Sequence, residues 1–438
     1  MNIVLLSGGS GVRLWPLSNE VRSKQFIKIF RGEDGNYESM LQRIYRQVCK
    51  IDDHITMVIA ASKSQVSSIH NQLGENVNIS VEPCRRDTFP AIVLAAAYLI
   101  DIAGVSDRES LVICPVDPYV EEDYFKVLKS LGEQADKEEA NLVLLGIEPT
   151  YPSEKYGYII PNDKKCISRV LKFQEKPDME TAKNYIRQGA LWNGGGFACK
   201  LKYIMDQAHK LIDFTNYEDL FDKYDTLCKI SFDYAVVEKE KKIQVMRFSG
   251  KWKDLGTWNT LTEAMNEHCI GDSIMNESCT NVHVVNELDI PVLAMGLHDV
   301  VISASPQGIL VSDKKQSSYI KPFVDKIDQQ VMFAEKSWGS FRILDLGEES
   351  LTIRVTLNPG HRMNYHSHKN RNEVWVVILG VGYTIVDGMK QEIHVGDVLT
   401  MEAGCRHTVI AKTELQLIEV QLGKEISVYD KQKYSLES

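Results

Sequence analysis

Continuous apolar runs punctuate the first part of the chain: NIVLLS, ITMVIAAS, SLVICPVDPYV and NLVLLGIEP. Runs without polar alternation predict strands buried on both faces. Between them, YESMLQRIYRQVCK and TFPAIVLAAAYLIDIAG carry apolar residues at helical spacing. This alternation predicts an α/β unit with a mostly parallel sheet, extending to about Glu267. ISFDYAVVEK reads as a further helix, with Asp233 and Glu238 as structural supports on it.

From about Asn281 the period changes. TNVHVVNE, VLAMGL, DVVISAS and GILVSD are short β-like segments with no helices between them. YIKPFVDKIDQQ then forms a helical or coil connection. From Trp338, short strands recur at regular spacing with Gly turns, as in LTIRVTLNPG, EVWVVILGVGYTIVDG and KQEIHVGDVLTMEAG. That pattern predicts an all-β sandwich or barrel. The expected organisation is residues 1–270, 271–330 and 331–438: an α/β domain, a short all-β linker module and a C-terminal β-barrel.

Composition changes this picture little. The chain has 438 residues, 44% hydrophobic and 25% charged, which are globular values. A formal net charge of -10 argues against a general nucleic-acid or membrane-surface binder. The longest apolar stretch, Pro90 to Ile100, is too short to span a bilayer. Met1 leads directly into the first strand with no basic n-region, so the expected location is cytoplasmic. The nine cysteines form no CxxC pair, which argues against a zinc or disulfide framework.

Candidate chemistry begins at LLSGGSGVRLWPLSNEVRSKQF, where a strand breaks into small residues followed by Arg13 and Lys24. Small residues after a parallel strand let backbone N–H groups approach phosphate oxygens. The spacing is neither that of a P-loop nor that of a dinucleotide fold. A plain structural turn is the alternative. Asp117 and Asp254 both follow apolar segments, where ligand sites of open α/β sheets lie. Two carboxylates there suit Mg²⁺, or each acid caps a turn or helix.

Taken together, the segments resemble the sugar-1-phosphate nucleotidyltransferases, specifically the mannose-1-phosphate guanylyltransferase branch with a C-terminal cupin. The opening segment is similar to that family's GGSGTRLWPLSR…PKQF. VEPCRRDTFPAI, CPVDPYV, EKYGYI, FQEKPD, LWNGGGF, ISFDYAVVEK and WKDLGTW resemble further family blocks, in the family's order. The resemblance implies a Rossmann-like transferase domain that joins a nucleoside triphosphate, GTP first, to a sugar 1-phosphate, mannose 1-phosphate first. It implies Arg13, Lys24, Asp117 and Asp254 as the catalytic set, with Asp117 and Asp254 holding Mg²⁺. It implies that Leu6, Gly8, Gly9, Gly11, Arg13, Lys24, Arg86, Asp87 and Thr88 meet the nucleotide. Gly157, Glu175, Lys176 and Asn193 would form the sugar-phosphate pocket. The chain departs from the family at Val12 (usually Thr), Asn19 (Arg), Ser23 (Pro), Pro118 (His) and WNGGGF (WNSGMF). Val12, inside the loop, is the departure to watch for an altered substrate. Other hexose or heptose 1-phosphates, or CTP, remain open. Trp15, Trp192 and Trp258 read as packing residues.

Five of the eleven histidines follow Gly360. In GHRMNYHSHKNRNEVWVVILG, His366 and His368 alternate on one strand face, with Glu373 five positions on. GDVLTMEAGCRH ends at His407. These spacings resemble the two cupin motifs and imply a metal site of His366, His368, Glu373 and His407, suited to Zn²⁺ or another divalent transition metal. Cupins attached to this family act as mannose-6-phosphate isomerases in several members. Here the usual Gln of the first motif and the arginine-containing C-terminal block are missing, so metal binding is the firmer expectation. Homo-oligomerisation is also expected.

Overall fold

The protein was analysed as a computed structural model, which describes all residues except 10, 11, 20, 53, 328, 329, 425, 427–429 and 436–438. Its first part is built on a nine-stranded sheet. From edge to edge the strands are Asn78–Glu82, Thr56–Ser62, Asn2–Leu6, Ser110–Pro115, Leu191–Lys200, Leu142–Ile147, Ile243–Phe248, Ile167–Gln174 and Tyr158–Pro161. The first four are parallel. Leu191–Lys200 runs antiparallel to both of its main neighbours, which makes the sheet mixed.

Both faces are buried, as the continuous apolar runs require. In Asn2–Leu6, Ile3 and Leu5 join one core cluster while Val4 joins the other. Helix Met40–Cys49 begins at a capping box, in which the Ser39 side chain and Gln42 satisfy each other's backbone N–H groups. The apolar stretch around Pro90 is the interior of helix Thr88–Asp101, with ten of its residues buried against the sheet. No helix among the described residues is long and apolar enough to cross a membrane. The ISFDYAVVEK segment is a π-helical turn at Asp233–Val237 rather than a regular helix.

The middle part coils its short strands. Cys269–Ile270, His283–Asn286 and Val300–Ser305 stack in parallel, and Gly308–Asp313 closes the sheet antiparallel. Parallel pairing without helical crossovers is more specific than the turn-separated β segments that the sequence predicts. Val285 and Val301 join the same core cluster as Ile3 and Trp258, so this part shares a core with the first.

The last part is two sheets. One has the order Phe333–Lys336, Gly339–Leu346, Ser350–Leu357, Leu415–Gly423, Arg371–Leu379, Val398–Met401. The other runs Met389–Ile393, Gly382–Val386, His407–Ala411, His366–Ser367, Gln432–Lys433. Trp375, fully buried, anchors the core between them together with Leu357, Leu415 and Leu417.

Candidate functional site

The Gly-rich segment leaves the carboxyl end of strand Asn2–Leu6. Its neighbours are polar and buried. Gln25 and Gln65 both donate to the Ser7 carbonyl, at 2.5 and 2.9 Å, and Ser23 Oγ donates to the Gly9 carbonyl at 3.1 Å. These bonds fix the backbone at Ser7 and Gly9. A Cβ built at Gly8 or Gly9 would meet nothing within 4 Å, so the backbone there faces free space, and Gly9 has φ +147°. Gly11 lies outside the described residues. Val12 packs against the core beneath the sheet, which accounts for an apolar residue at that place without reference to substrate.

Gly8 and Gly9 line a cleft of about 410 Å³, together with Leu6, Ser62, Glu82, Arg85, Asp87, Thr88 and Lys229. Asp87 caps helix Thr88–Asp101 at φ 71°, its carboxylate accepting the Thr88 N–H at 2.8 Å. Thr88 Oγ1 accepts from the Phe232 N–H. Arg86 turns its guanidinium to the Asp225 carbonyl, and it is Arg85 that lines the cleft. Glu82, at the carboxyl end of its strand, is 8% exposed and accepts from Tyr224 Oη at 2.8 Å. Burial raises its carboxyl above the ordinary range, Tyr224 and Arg85 opposing. Glu82 and Arg85 are not among the residues that the family resemblance implies, although both stand in the VEPCRRD block. The strand-end rule that selected Asp117 points equally to Glu82.

The two candidate acids meet through a small ribbon. Strand Trp252–Asp254 pairs antiparallel with Pro118–Val120, so Asp254 stands opposite Pro118 and beside Asp117. The Lys24 ammonium lies 3.1 Å from Asp117 Oδ2 and 3.8 Å from Asp254 Oδ1. Burial disfavours the Lys24 charge, but Asp117 and Asp254 more than offset it and raise its pKa. Burial raises Asp254 too, aided by Asp117 and opposed by Lys24 and Arg13. Arg13 is exposed and close enough to act on both. The arrangement is a compact group of two cations and two anions at the carboxyl ends of the parallel strands.

The sugar-phosphate candidates also come together. The Asn193 N–H donates to the Gly157 carbonyl at 2.8 Å. A Cβ at Gly157 would lie 2.5 Å from Glu175 Oε2 and 3.3 Å from Asn193 Cβ. Lys176, at φ 41°, sets its ammonium 2.8 Å from Glu175 Oε1. Asn193 Nδ2 donates to Asp233 Oδ1 at 2.8 Å. Asp233 therefore belongs to this cluster, and burial, then Glu175, raises its pKa to about 6. The glycines of WNGGGF answer to packing. A Cβ at Gly194 would lie 2.9 Å from Ile147 Cγ1, and one at Gly196 3.3 Å from Tyr124 Oη. Trp15, Trp192 and Trp258 are buried, and Trp258 Nε1 donates to the Trp15 carbonyl.

In the C-terminal part, His366 and His407 face each other across paired strands of one sheet, and Glu373 projects from the other. Ligand atoms of His366, His368 and His407 lie within 4.8 Å of one another, and all three residues are buried. Each Nδ1 meets a backbone carbonyl: Asn364 at 2.6 Å, Asp430, and Cys405 at 3.1 Å. A carbonyl only accepts, so each Nδ1 carries a proton and Nε2 is left as the candidate ligand atom. Glu373 Oε1 lies 3.1 Å from His368 Nε2, and Glu373 Oε2 3.2 Å from His407 Nε2. Arg371 contacts Glu373 and His368, both at 3.0 Å. Burial lowers His366 to about 2 and His368 to about 4, so both are neutral at pH 7.

Comparison with known proteins identifies relatives of both parts of the chain. Residues 2–269 match the family described as Nucleotidyl transferase, and residues 325–434 match Mannose-6-phosphate isomerase C-terminal. The chain is 27% identical to a mannose-1-phosphate guanylyltransferase of Salmonella montevideo, covering 99% of this chain and 98% of that one. It is 28% identical to the xanthan biosynthesis protein XanB of Xanthomonas campestris, covering 98% and 96%. Among solved structures, a mannose-1-phosphate geranyltransferase from Thermus thermophilus is similar with TM-score 0.61 and 27% identity, over 74% of this chain and 98% of that one. With more than half of its length matched, the chain belongs to the nucleotidyl transferase family: it is a sugar-phosphate nucleotidyltransferase carrying a C-terminal domain of the mannose-6-phosphate isomerase type.

Proposed function

We propose that this enzyme transfers a guanylyl group from GTP to mannose 1-phosphate. A phosphate oxygen of the sugar phosphate attacks the α-phosphorus. The bond from that phosphorus to the bridging oxygen breaks, and pyrophosphate leaves. Both reactants are anions, so their repulsion is a large part of the barrier. Fixed cations and backbone donors offset it through positioning and electrostatics. The observation that carries the reading is the placement of Lys24 against Asp117 and Asp254, one residue after Ser23, which holds the Gly9 carbonyl. Arg13 and Lys24 supply the positive charge. Gly8, Gly9, Asp87 and Thr88 border the nucleotide, and Gly157, Glu175, Lys176 and Asn193 hold the sugar phosphate.

Asp117 and Asp254 offer a hard-oxygen donor set that fits Mg²⁺; they would hold the ion, and it would supply positive charge against the phosphates. The choice of guanine is supported by Glu82. A buried carboxylate at the cleft accepts hydrogen bonds, and the guanine edge offers two adjacent donors, N1–H and the 2-amino group. Cytosine offers one amino group there. The names of the full-length relatives point the same way.

The test is a matrix of triphosphates against sugar 1-phosphates with Mg²⁺, read as pyrophosphate release. GTP with mannose 1-phosphate is expected to lead. No turnover with any pair would overturn the reading. Glu82→Gln is expected to cut the preference for GTP over CTP by about tenfold or more, on the scale of one lost charged hydrogen bond; an unchanged ratio removes Glu82 from base selection.

A second reading, sugar-phosphate isomerisation in the C-terminal domain, is favoured by the buried cluster of three histidines and Glu373. The inward Nε2 atoms fit Zn²⁺ or a similar metal, and among the described residues Glu373 Oε2 and His407 Nε2 are buried side by side without a well-formed hydrogen bond, as expected of ligand atoms. Conversion of mannose 6-phosphate to fructose 6-phosphate by the purified protein tests it, and no conversion by the metal-loaded protein overturns it. The proposal also includes a homo-oligomeric cytoplasmic enzyme.

A further inference from the structure

Arg22 is 7% exposed although charged. Its two terminal nitrogens both bond Glu287, at 2.8 and 2.9 Å. Glu287 directly follows strand His283–Asn286 of the middle sheet, and its own N–H donates to the Ala304 carbonyl at 2.8 Å. The carboxylate is thus anchored on a rigid element. On another side, the Arg22 guanidinium lies over the Phe333 ring, 5.2 Å from its centre. Phe333 opens the strand whose Glu335 pairs with Lys28 at 3.2 Å and accepts from Gln72 at 2.7 Å.

The backbone of Arg22 belongs to the turn that delivers Lys24. Its N–H donates to Asn19 Oδ1 at 2.7 Å, and its carbonyl accepts the Asn19 N–H at 2.9 Å. The next residue, Ser23, holds the Gly9 carbonyl, and Lys24 follows. A lysine ammonium sits on a flexible stem, so its place between two acids depends on where the backbone begins. A bidentate arginine pair is a stiff way to set that backbone. Arg22 is buried and Glu287 partly exposed; ion pairs of this kind add little net stability, so the pair's use here points to position rather than stability.

We infer that Arg22 is a positioning residue for the transfer reaction: through Glu287 and Phe333, the middle module and the entry strand of the C-terminal domain set the turn that holds Lys24 between Asp117 and Asp254. The catalytic site of the first domain is then completed by elements outside it. This inference rests on the proposed transfer reaction.

The test uses full-length protein carrying Arg22→Lys, Arg22→Met, Glu287→Gln and the Arg22→Met/Glu287→Gln pair. Kinetics are measured with the substrate pair that the wild type uses, and folding is checked by circular dichroism and melting. Arg22→Met is expected to lower kcat about tenfold or more and to raise KM for the triphosphate, with KM for the sugar 1-phosphate within about twofold. Arg22→Lys should recover part of the loss. Glu287→Gln should act in the same direction, and the double variant should be no worse than the worse single one. A lower melting temperature with unchanged kcat and KM overturns the inference, as does an equal rise in both KM values. If Arg22→Met does not fold, Glu287→Gln decides alone. If the wild type turns over no pair, the transfer reading fails; GTP affinity by calorimetry then judges the inference, and equal binding by wild type and Glu287→Gln overturns it.

Discussion

Lys24 is the residue on which the proposed site turns, because its ammonium lies between two carboxylates and is the cation that the proposed transfer sets against phosphate charge. Lys24→Ala and Asp254→Asn are each expected to lower kcat by about 10²–10³-fold, the scale of losing one preorganised electrostatic group, with the fold intact by circular dichroism. A loss below threefold in both would remove them from the catalytic set. Asp233 makes a separate prediction. Burial, then Glu175, raises its pKa from 3.8 to about 6. The folded protein therefore holds this proton more tightly than the unfolded chain does. The contribution to stability is full at low pH and is lost as pH rises through about 6. Asp233→Asn is expected to raise Tm by a few degrees at pH 8, an advantage that shrinks below about pH 6 and is gone near pH 4. A constant difference across that range would show that Asp233 is not the titrating group. Lys24, Asp117 and Asp254 were legible because each stands in a recognisable block or after an apolar strand. Asp233 was read as a support, since its bond to Asn193 joins residues forty positions apart and leaves no local pattern. The family resemblance implies Arg86, whereas Arg85 lines the cleft, and adjacent loop positions carry no local signal of which way each side chain turns.

At the level of elements, two short devices make the site. The ribbon of Pro118–Val120 with Trp252–Asp254 brings acids from distant parts of the chain to one ammonium. The approach of the Gly157 segment to Glu175 and Asn193 leaves no room for a side chain. Gly157→Ala would place a methyl group 2.5 Å from Glu175 Oε2. It is expected to raise KM for the sugar 1-phosphate by about tenfold or more while KM for the triphosphate stays near wild type. Parallel changes in both would place Gly157 outside the sugar half. The main strands and helices were legible from periodicity, because burial on two faces forces continuous apolar runs. The ribbon was not: three-residue strands carry no period. Nor was the parallel coiling of the middle module, since pairing direction is a long-range property that turn residues do not encode.

For the whole molecule, the prediction concerns independence of the two chemistries. The His366→Ala/His368→Ala variant is expected to lose bound transition metal, measured by elemental analysis, while pyrophosphate release stays within about twofold of wild type, because the histidine cluster lies in a separate core. Equal metal content in variant and wild type would sink the metal site. Contacts such as Gln72 with Glu335 show the C-terminal part pressing on the first domain through its entry strand, away from the histidines. The sequence by itself determined the fold class, the family and the residue types that carry charge to phosphate, because apolar period and motif spacing are local properties of the chain. Only the tertiary structure decided which residues touch: that Glu82 and Arg85 face the cleft, that Asp233 joins Asn193, that Val12 packs against the core, and that Arg22 ties the Lys24 turn to Glu287. Those are contacts between segments far apart in sequence, set by packing, and no short stretch of the chain encodes them.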